Sequence, residues 1–131
     1  QPHYHDVVTE VAEFLQQRYQ ASIDAGIDAQ RIVLDPGFGF GKSLQHNLQL
    51  LNSLDVICAL KLPVIVGISR KSMLGAILDK PVDERIYGSL AAAVFAFTKG
   101  ARLFRVHDVA PTRQALALCD ALQSQLEARH D

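Results

Sequence analysis

The run Arg31-Ile32-Val33-Leu34-Asp35-Pro36-Gly37-Phe38-Gly39-Phe40-Gly41-Lys42 decides the fold. Four residues rich in β-branched side chains do not alternate with polar ones, so they read as a strand buried on both faces, Arg31–Leu34. Pro36 and Gly37 then end the strand in a loop. The same grammar recurs twice. Pro63-Val64-Ile65-Val66-Gly67 precedes Ile68-Ser69-Arg70-Lys71-Ser72, and Ala101-Arg102-Leu103-Phe104-Arg105-Val106 precedes His107-Asp108. Helical patterning fills the gaps. Val7, Val8, Val11, Phe14, Leu15 and Ile23 mark a helix over Asp6–Ala25, which Gly26 stops. Leu44, Leu48, Leu51 and Leu54 mark one over Ser43–Leu60. A short helix covers Met73–Leu78, a long one Asp83–Lys99 with Gly100 as its stop, and a last one Thr112–Ala128 with Pro111 near its start.

The order is therefore one helix followed by three βα units, an α/β chain whose parallel strands are covered by helices. An open doubly wound sheet and an arc of a (β/α)₈ barrel both satisfy it. In either, ligands gather at the carboxyl ends of the strands. A whole barrel takes about 250 residues; the 131 here hold about half of one. Three strands alone leave two bare edges that a partner or a further portion of chain must cover. The chain begins Gln1-Pro2-His3 with no initiator methionine, which reads as a piece of a longer protein.

Composition narrows the function. With 49% hydrophobic and 21% charged residues, the chain has the make-up of a globular domain rather than of a disordered or fibrous one. A net charge of −1 lacks the basic excess of a general nucleic-acid binder. No apolar run reaches the roughly 18 residues of a membrane span, and a cytoplasmic location is expected. Cys58 and Cys119, far apart in helical segments, are expected to be reduced, buried thiols with no part in a metal cluster.

Reactive residues concentrate in the three loops that follow the strands. Asp35 closes a buried strand, where a carboxylate needs a partner. Its two oxygens match the N–H groups of an amino-pyrimidine edge, although a loop-capping aspartate fits the position too. The glycines of the first loop allow positive φ and close backbone approach. Phe38 and Phe40 offer aromatic surface to a planar substrate, and core packing would explain one of them equally well. The loop is neither a GxGxxG nor a Walker A sequence.

Ser69-Arg70-Lys71-Ser72 puts two cations and two hydroxyls before a helix start, where anions are favoured, or else forms a solvated basic turn. Lys71 can donate to a ring nitrogen or carbonyl, and Ser72 can cap the helix or hold a carboxylate. Arg105 and His107, one residue apart, share a side of an extended segment and suit a phosphate or diphosphate. Asp108 orients His107 or, as the first choice, caps the last helix. His3, His5, His46, His130, Lys80 and Arg85 read as solvated surface residues.

In order, DPGFGFGK (35–42), GISRKS (67–72), GSLAAAV (88–94) and RVHD (105–108) closely resemble dihydropteroate synthase, over about residues 6–126. The resemblance implies the carboxyl-terminal half of a (β/α)₈ TIM barrel, so that residues 1–131 form part of a pterin-binding domain. It implies condensation of 6-hydroxymethyl-7,8-dihydropterin diphosphate with 4-aminobenzoate, giving 7,8-dihydropteroate and diphosphate. Asp35 resembles the carboxylate that holds the pterin edge, and Lys71 the lysine between the pterin ring and the aminobenzoate. Ser72 looks like the residue on the aminobenzoate carboxylate, Phe40 like the ring packed on aminobenzoate, and Gly67 falls among the substrate-binding positions. Arg105 is similar to the arginine that stacks on the pterin and reaches the diphosphate, and His107 to its anion-binding partner. Arg70 is placed as support for its loop.

The family also implies Mg²⁺ on the diphosphate, held from the amino-terminal half with no metal ligand in this chain. It implies a homodimer through the late helices as well. The isolated 131 residues are expected to lack full activity. Two other readings stand beside this one: a pterin-binding methyltransferase domain, and a non-catalytic half-barrel module.

Overall fold

A computed structural model describes residues 3–130. Helix α1 (Val7–Asp24) begins at Asp6, whose carboxylate accepts from the amide and hydroxyl of Thr9, while Glu10 accepts from the Asp6 amide. Val7, Val11 and Leu15 form its buried stripe. Phe14, expected in that stripe, is instead 59% exposed, because the buried line follows four-residue steps and Phe14 sits beside it. Gly26, at φ +94°, closes the helix as expected, with the Ile27 amide donating to the Ser22 carbonyl.

The first expected strand narrows to one parallel bridge between Leu34 and Val64. Arg31 is drawn into a 3₁₀ turn over Ala29–Arg31 that Asp28 caps, the Ile32 amide donates back to the Ala29 carbonyl, and the pairing falls to Leu34. Its amide donates to the Pro63 carbonyl, and its carbonyl accepts from the Ile65 amide. Strands β1 (Ile65–Val66) and β2 (Leu103–Phe104) pair in parallel, Ile65 opposite Leu103 and Val66 opposite Phe104. The Arg105 amide extends that ladder to the Val66 carbonyl. Among the described residues, two strands and one bridge thus stand, in parallel and in chain order, where three strands were expected.

Between the first bridge and β1, the single expected helix divides into α2 (Leu44–Asn52) and α3 (Leu54–Cys58). Ser53, at φ −111° and ψ 27°, ends one and starts the other. The turn lets Leu50, Leu54 and Ile57 all reach full burial. Helix α4 (Ser72–Leu78) follows β1 and ends at Asp79 in the left-handed region, φ 55°. The helix expected from Asp83 starts later, as α5 (Ile86–Thr98), after a 3₁₀ turn over Val82–Glu84. Helix α6 (Val109–His130) begins three residues before Thr112 and takes Pro111 into its first turn, where a missing amide costs nothing.

The core gathers Val7, Val11, Leu15, Phe38, Leu50, Leu54, Ile57 and Val66 beneath the helices. Cys58 and Cys119 are free but only half-buried, against the expectation of burial. Burial still pushes the Cys58 thiol above its ordinary pKa. His3 and His5 are exposed. His46 is not a plain surface residue: its Nδ1 accepts from the Ser43 amide while Ser43 Oγ accepts from the His46 amide, closing the start of α2. The placement expected for the His130 side chain lies outside the described residues. No helix among the described residues is long and apolar enough to cross a membrane.

Candidate active site

Three loops follow the parallel bridge, β1 and β2, and parallel strands put all three on one rim. The first turns on Gly37, Gly39 and Gly41, at φ +76°, +85° and +60°, a path that side chains with a Cβ resist. Four groups hold it. Asp35 Oδ1 accepts from the Gly37 amide at 2.9 Å, and buried Asn47 accepts from the Gly39 amide at 2.8 Å. Lys42 Nζ donates to the carbonyls of Gly37 and Phe40. Lys71 Nζ, from the second loop, donates to the Phe38 carbonyl at 2.6 Å.

The phenylalanines divide as chemistry requires: Phe38 is 1% exposed and anchors the loop in the core, whereas Phe40 is 68% exposed. Lys71 Nζ stands 4.4 Å from the Phe40 ring centroid, a cation–π contact worth about 0.5–1 kcal/mol at an open site.

Asp35 differs from the sequence expectation in its setting. Its side chain is 41% exposed, since the strand before it pairs at Leu34 alone. It meets Arg105, Nη2 to Oδ2 at 3.3 Å, with the arginine side chain 56% exposed. So open a pair contributes about 0–1 kcal/mol, and an incoming polar ligand displaces it at little cost. Arg105 crosses directly over Gly67. A Cβ added to Gly67 would lie 2.5 Å from Nη2 and 3.1 Å from Nε and Cζ. Gly67 therefore matters as the gap through which Arg105 reaches Asp35. Gly67→Ala is expected to keep the fold, because no positive φ is involved, while pushing the Arg105 guanidinium away from Asp35. A crystal structure of the variant checks this, and an unmoved Arg105–Asp35 pair would separate Arg105 placement from Gly67.

His107 is exposed and meets Ser69 rather than Arg105: Ser69 Oγ accepts from the His107 amide and lies 3.0 Å from Nδ1. Asp108 does not cap α6 with its side chain. Its carboxylate grips Arg70 in a two-point pair, Nη2–Oδ1 2.8 Å and Nε–Oδ2 3.3 Å, and only its carbonyl receives Thr112. That pair holds the Arg70 guanidinium even more firmly protonated than usual, and it ties the second loop to the third, the support role expected of Arg70. Ser72 is the exposed first residue of α4 and makes no cap, which falls to the backbone of Lys71.

Charge is concentrated here. Burial, then Arg105, lowers the pKa of Lys71 below the ordinary lysine value, and Asp35 opposes them. Burial also lowers that of Lys42, opposed by Asp35 and reinforced by Lys71. Asp35, Lys71 and Arg105, from three different loops, thus share one electrostatic neighbourhood. Sequence reading missed Lys42, Asn47 and Ser69 as parts of this assembly. Asn47, an amide on the buried side of an amphipathic helix four residues after the cap, carried the one signal that would have found it.

The family described as pterin binding enzyme matches residues 1–107. A dihydropteroate synthase from Haemophilus influenzae is 52% identical over 120 residues, covering 92% of this chain and 44% of that protein. The Xanthomonas albilineans dihydropteroate synthase in complex with 7,8-dihydropteroate superposes with TM-score 0.90 at 49% identity, over 93% of this chain and 47% of that one. The same enzyme with 4-aminobenzoic acid gives TM-score 0.90 at 49% identity, over 93% and 45%. The chain spans less than half the length of these relatives.

Proposed function

Because the chain belongs to the pterin binding enzyme family, we propose that it is part of a dihydropteroate synthase, contributing half of that enzyme's active-site rim. In this reading it forms the carboxyl-terminal half of a (β/α)₈ barrel, the Leu34 bridge, β1 and β2 being successive barrel strands. The observation that carries it is the meeting of Asp35 with Arg105, and of Lys71 with the loop after Asp35, from three consecutive strand ends. Solved relatives of this likeness hold 7,8-dihydropteroate and 4-aminobenzoic acid.

In the proposed reaction the C–O bond to diphosphate breaks, the aniline nitrogen of 4-aminobenzoate attacks the exocyclic carbon, and that nitrogen then loses a proton. The Asp35 carboxylate accepts from the amino-pyrimidine edge, exchanging its open pair with Arg105 for two ligand N–H groups. Arg105, so released, turns its donors to the diphosphate, and His107, leaving Ser69, serves as a second anion contact. Lys71 donates to the pterin, giving up the Phe38 carbonyl. Phe40 packs on aminobenzoate, whose carboxylate Ser72 receives. Catalysis is positioning plus stabilisation of the departing negative charge.

Mg²⁺ travels with the diphosphate in this scheme. The family resemblance assigns its protein ligands to the other half, and no step here runs through it. A homodimer is proposed through α6, whose Leu118, Leu122 and Leu126, spaced by four, are 63%, 62% and 55% exposed.

The test is diphosphate release by the full-length polypeptide that carries these residues, given the pterin diphosphate and 4-aminobenzoate together. Release that requires both is the expected result. Preferential binding of a methylated folate would favour the methyltransferase reading instead, and binding of neither would favour a non-catalytic module.

A further inference from the structure

Arg85 was expected to be a solvated surface residue, and the structure overturns that. Its guanidinium collects three backbone carbonyls: Nε donates to Lys80 at 2.9 Å, and Nη1 donates to Arg70 at 2.9 Å and to Lys71 at 3.2 Å. It lies flat across α4, where a Cβ added to Gly75 would collide with the guanidinium. The carbonyls it gathers belong to an unusual stretch. Arg70 holds φ +58°, a left-handed conformation that costs a residue with a side chain and persists only where its surroundings enforce it. Buried Ser89, one turn into α5, completes the enforcement: its Oγ accepts from the Arg70 amide and donates to the Arg85 carbonyl. The turn therefore has its amide and both its carbonyls fixed by the start of α5. Immediately after it comes Lys71, whose amine crosses to the Phe38 carbonyl of the first loop.

We infer that Arg85 is a positioning residue, which clamps the Arg70–Lys71 turn so that the Lys71 amine is held over the glycine-rich loop. The inference rests on the proposed function only where it assigns Lys71 to turnover; the clamp itself is a matter of geometry. Removing Arg85 takes the guanidinium from the Arg70 carbonyl and leaves the Lys71 carbonyl to the Leu74 amide alone, which frees Arg70 to leave the left-handed region, and Lys71 then swings from its place. Asp108 still holds the Arg70 side chain, so the loop stays attached to the rim while its backbone loses register. Gly75→Ala reaches the same end differently, by pushing the guanidinium off its carbonyls.

The experiment uses the full-length protein with Arg85→Ala, Arg85→Lys and Gly75→Ala, each alone and each combined with Lys71→Ala. Arg85→Ala is expected to lower kcat/KM at least tenfold, Arg85→Lys to recover part of it, and Gly75→Ala to reproduce the loss. On the Lys71→Ala background the same changes should cost less than twofold, since Arg85 acts through Lys71. Multiplying losses would overturn the inference. Amide exchange supplies a readout that needs no turnover: Arg70 and Lys71 should exchange at least tenfold faster in Arg85→Ala, with Ile65 and Val66 unchanged. If the wild-type protein makes no dihydropteroate, the functional reading fails and exchange alone decides the clamp, unchanged rates overturning it. Should Arg85→Ala not fold, the other two variants carry both comparisons.

Discussion

Lys71→Ala is expected to lower kcat/KM of the full-length enzyme by about 10²–10³-fold, the scale of removing one preorganised donor from a site where charge develops. Its thermal stability should stay within about 1 kcal/mol of wild type, because Lys71 makes no buried ion pair and its contacts are one carbonyl and one open ring. Steady-state kinetics beside a melting curve checks the split, and equal loss of rate and stability would mean that Lys71 only braces the loop.

A pH dependence accompanies it. Burial and Arg105 set the Lys71 pKa below that of a free lysine, so its ammonium loses its proton at lower pH than usual. If the ammonium is the working form, kcat/KM falls as pH rises through that lowered value. Arg105→Ala removes one of the two lowering influences, and the falling limb should move to higher pH. A limb that stays in place would assign the titration to another group.

The second large effect is on stability. Phe38→Ala is expected to cost about 3–5 kcal/mol, the usual range for emptying a buried phenylalanine site. Phe38 is among the largest fully buried side chains, and it joins the same core as Leu34, Leu50 and Leu54. The damage should spread to function, since the Phe38 carbonyl is where Lys71 rests. Phe40→Ala, by contrast, should stay within about 1 kcal/mol of wild type, the loss of an exposed ring and its cation–π contact with Lys71. Denaturant unfolding of the two variants measures the difference. Similar midpoints would refute the division of the loop into an anchoring ring and a presented one.

Much of this was readable from residue order. Apolar runs ending before Pro36 and at Gly67 placed two of the parallel segments, and the glycine stops at Gly26 and Gly100 closed their helices. The convergence of Asp35, Lys71 and Arg105 was readable too, because in a parallel arrangement every carboxyl end faces the same way. Extent was less readable. Arg31 left its strand for a 3₁₀ turn, and Ser53 broke a helix whose periodicity ran straight through it. Such choices depend on which neighbour offers a hydrogen-bond partner, and hydropathy carries no trace of that.

By itself the amino-acid sequence determined the alternation of helix and parallel segment, the rim to which the reactive residues come, and the family. The first two follow from local rules, in which period, glycine and chain direction act over a few residues at a time, and the family follows from the resemblance of its motifs. Only the tertiary structure decided which polar side chains serve one another. Asp108 grips Arg70 from 38 residues away rather than capping its own helix, and Arg85 holds carbonyls on the far side of α4 instead of facing water. The physical reason is that a long side chain pairs with whatever donor or acceptor the packed helices bring within about 3 Å, and that proximity exists only after the chain has folded.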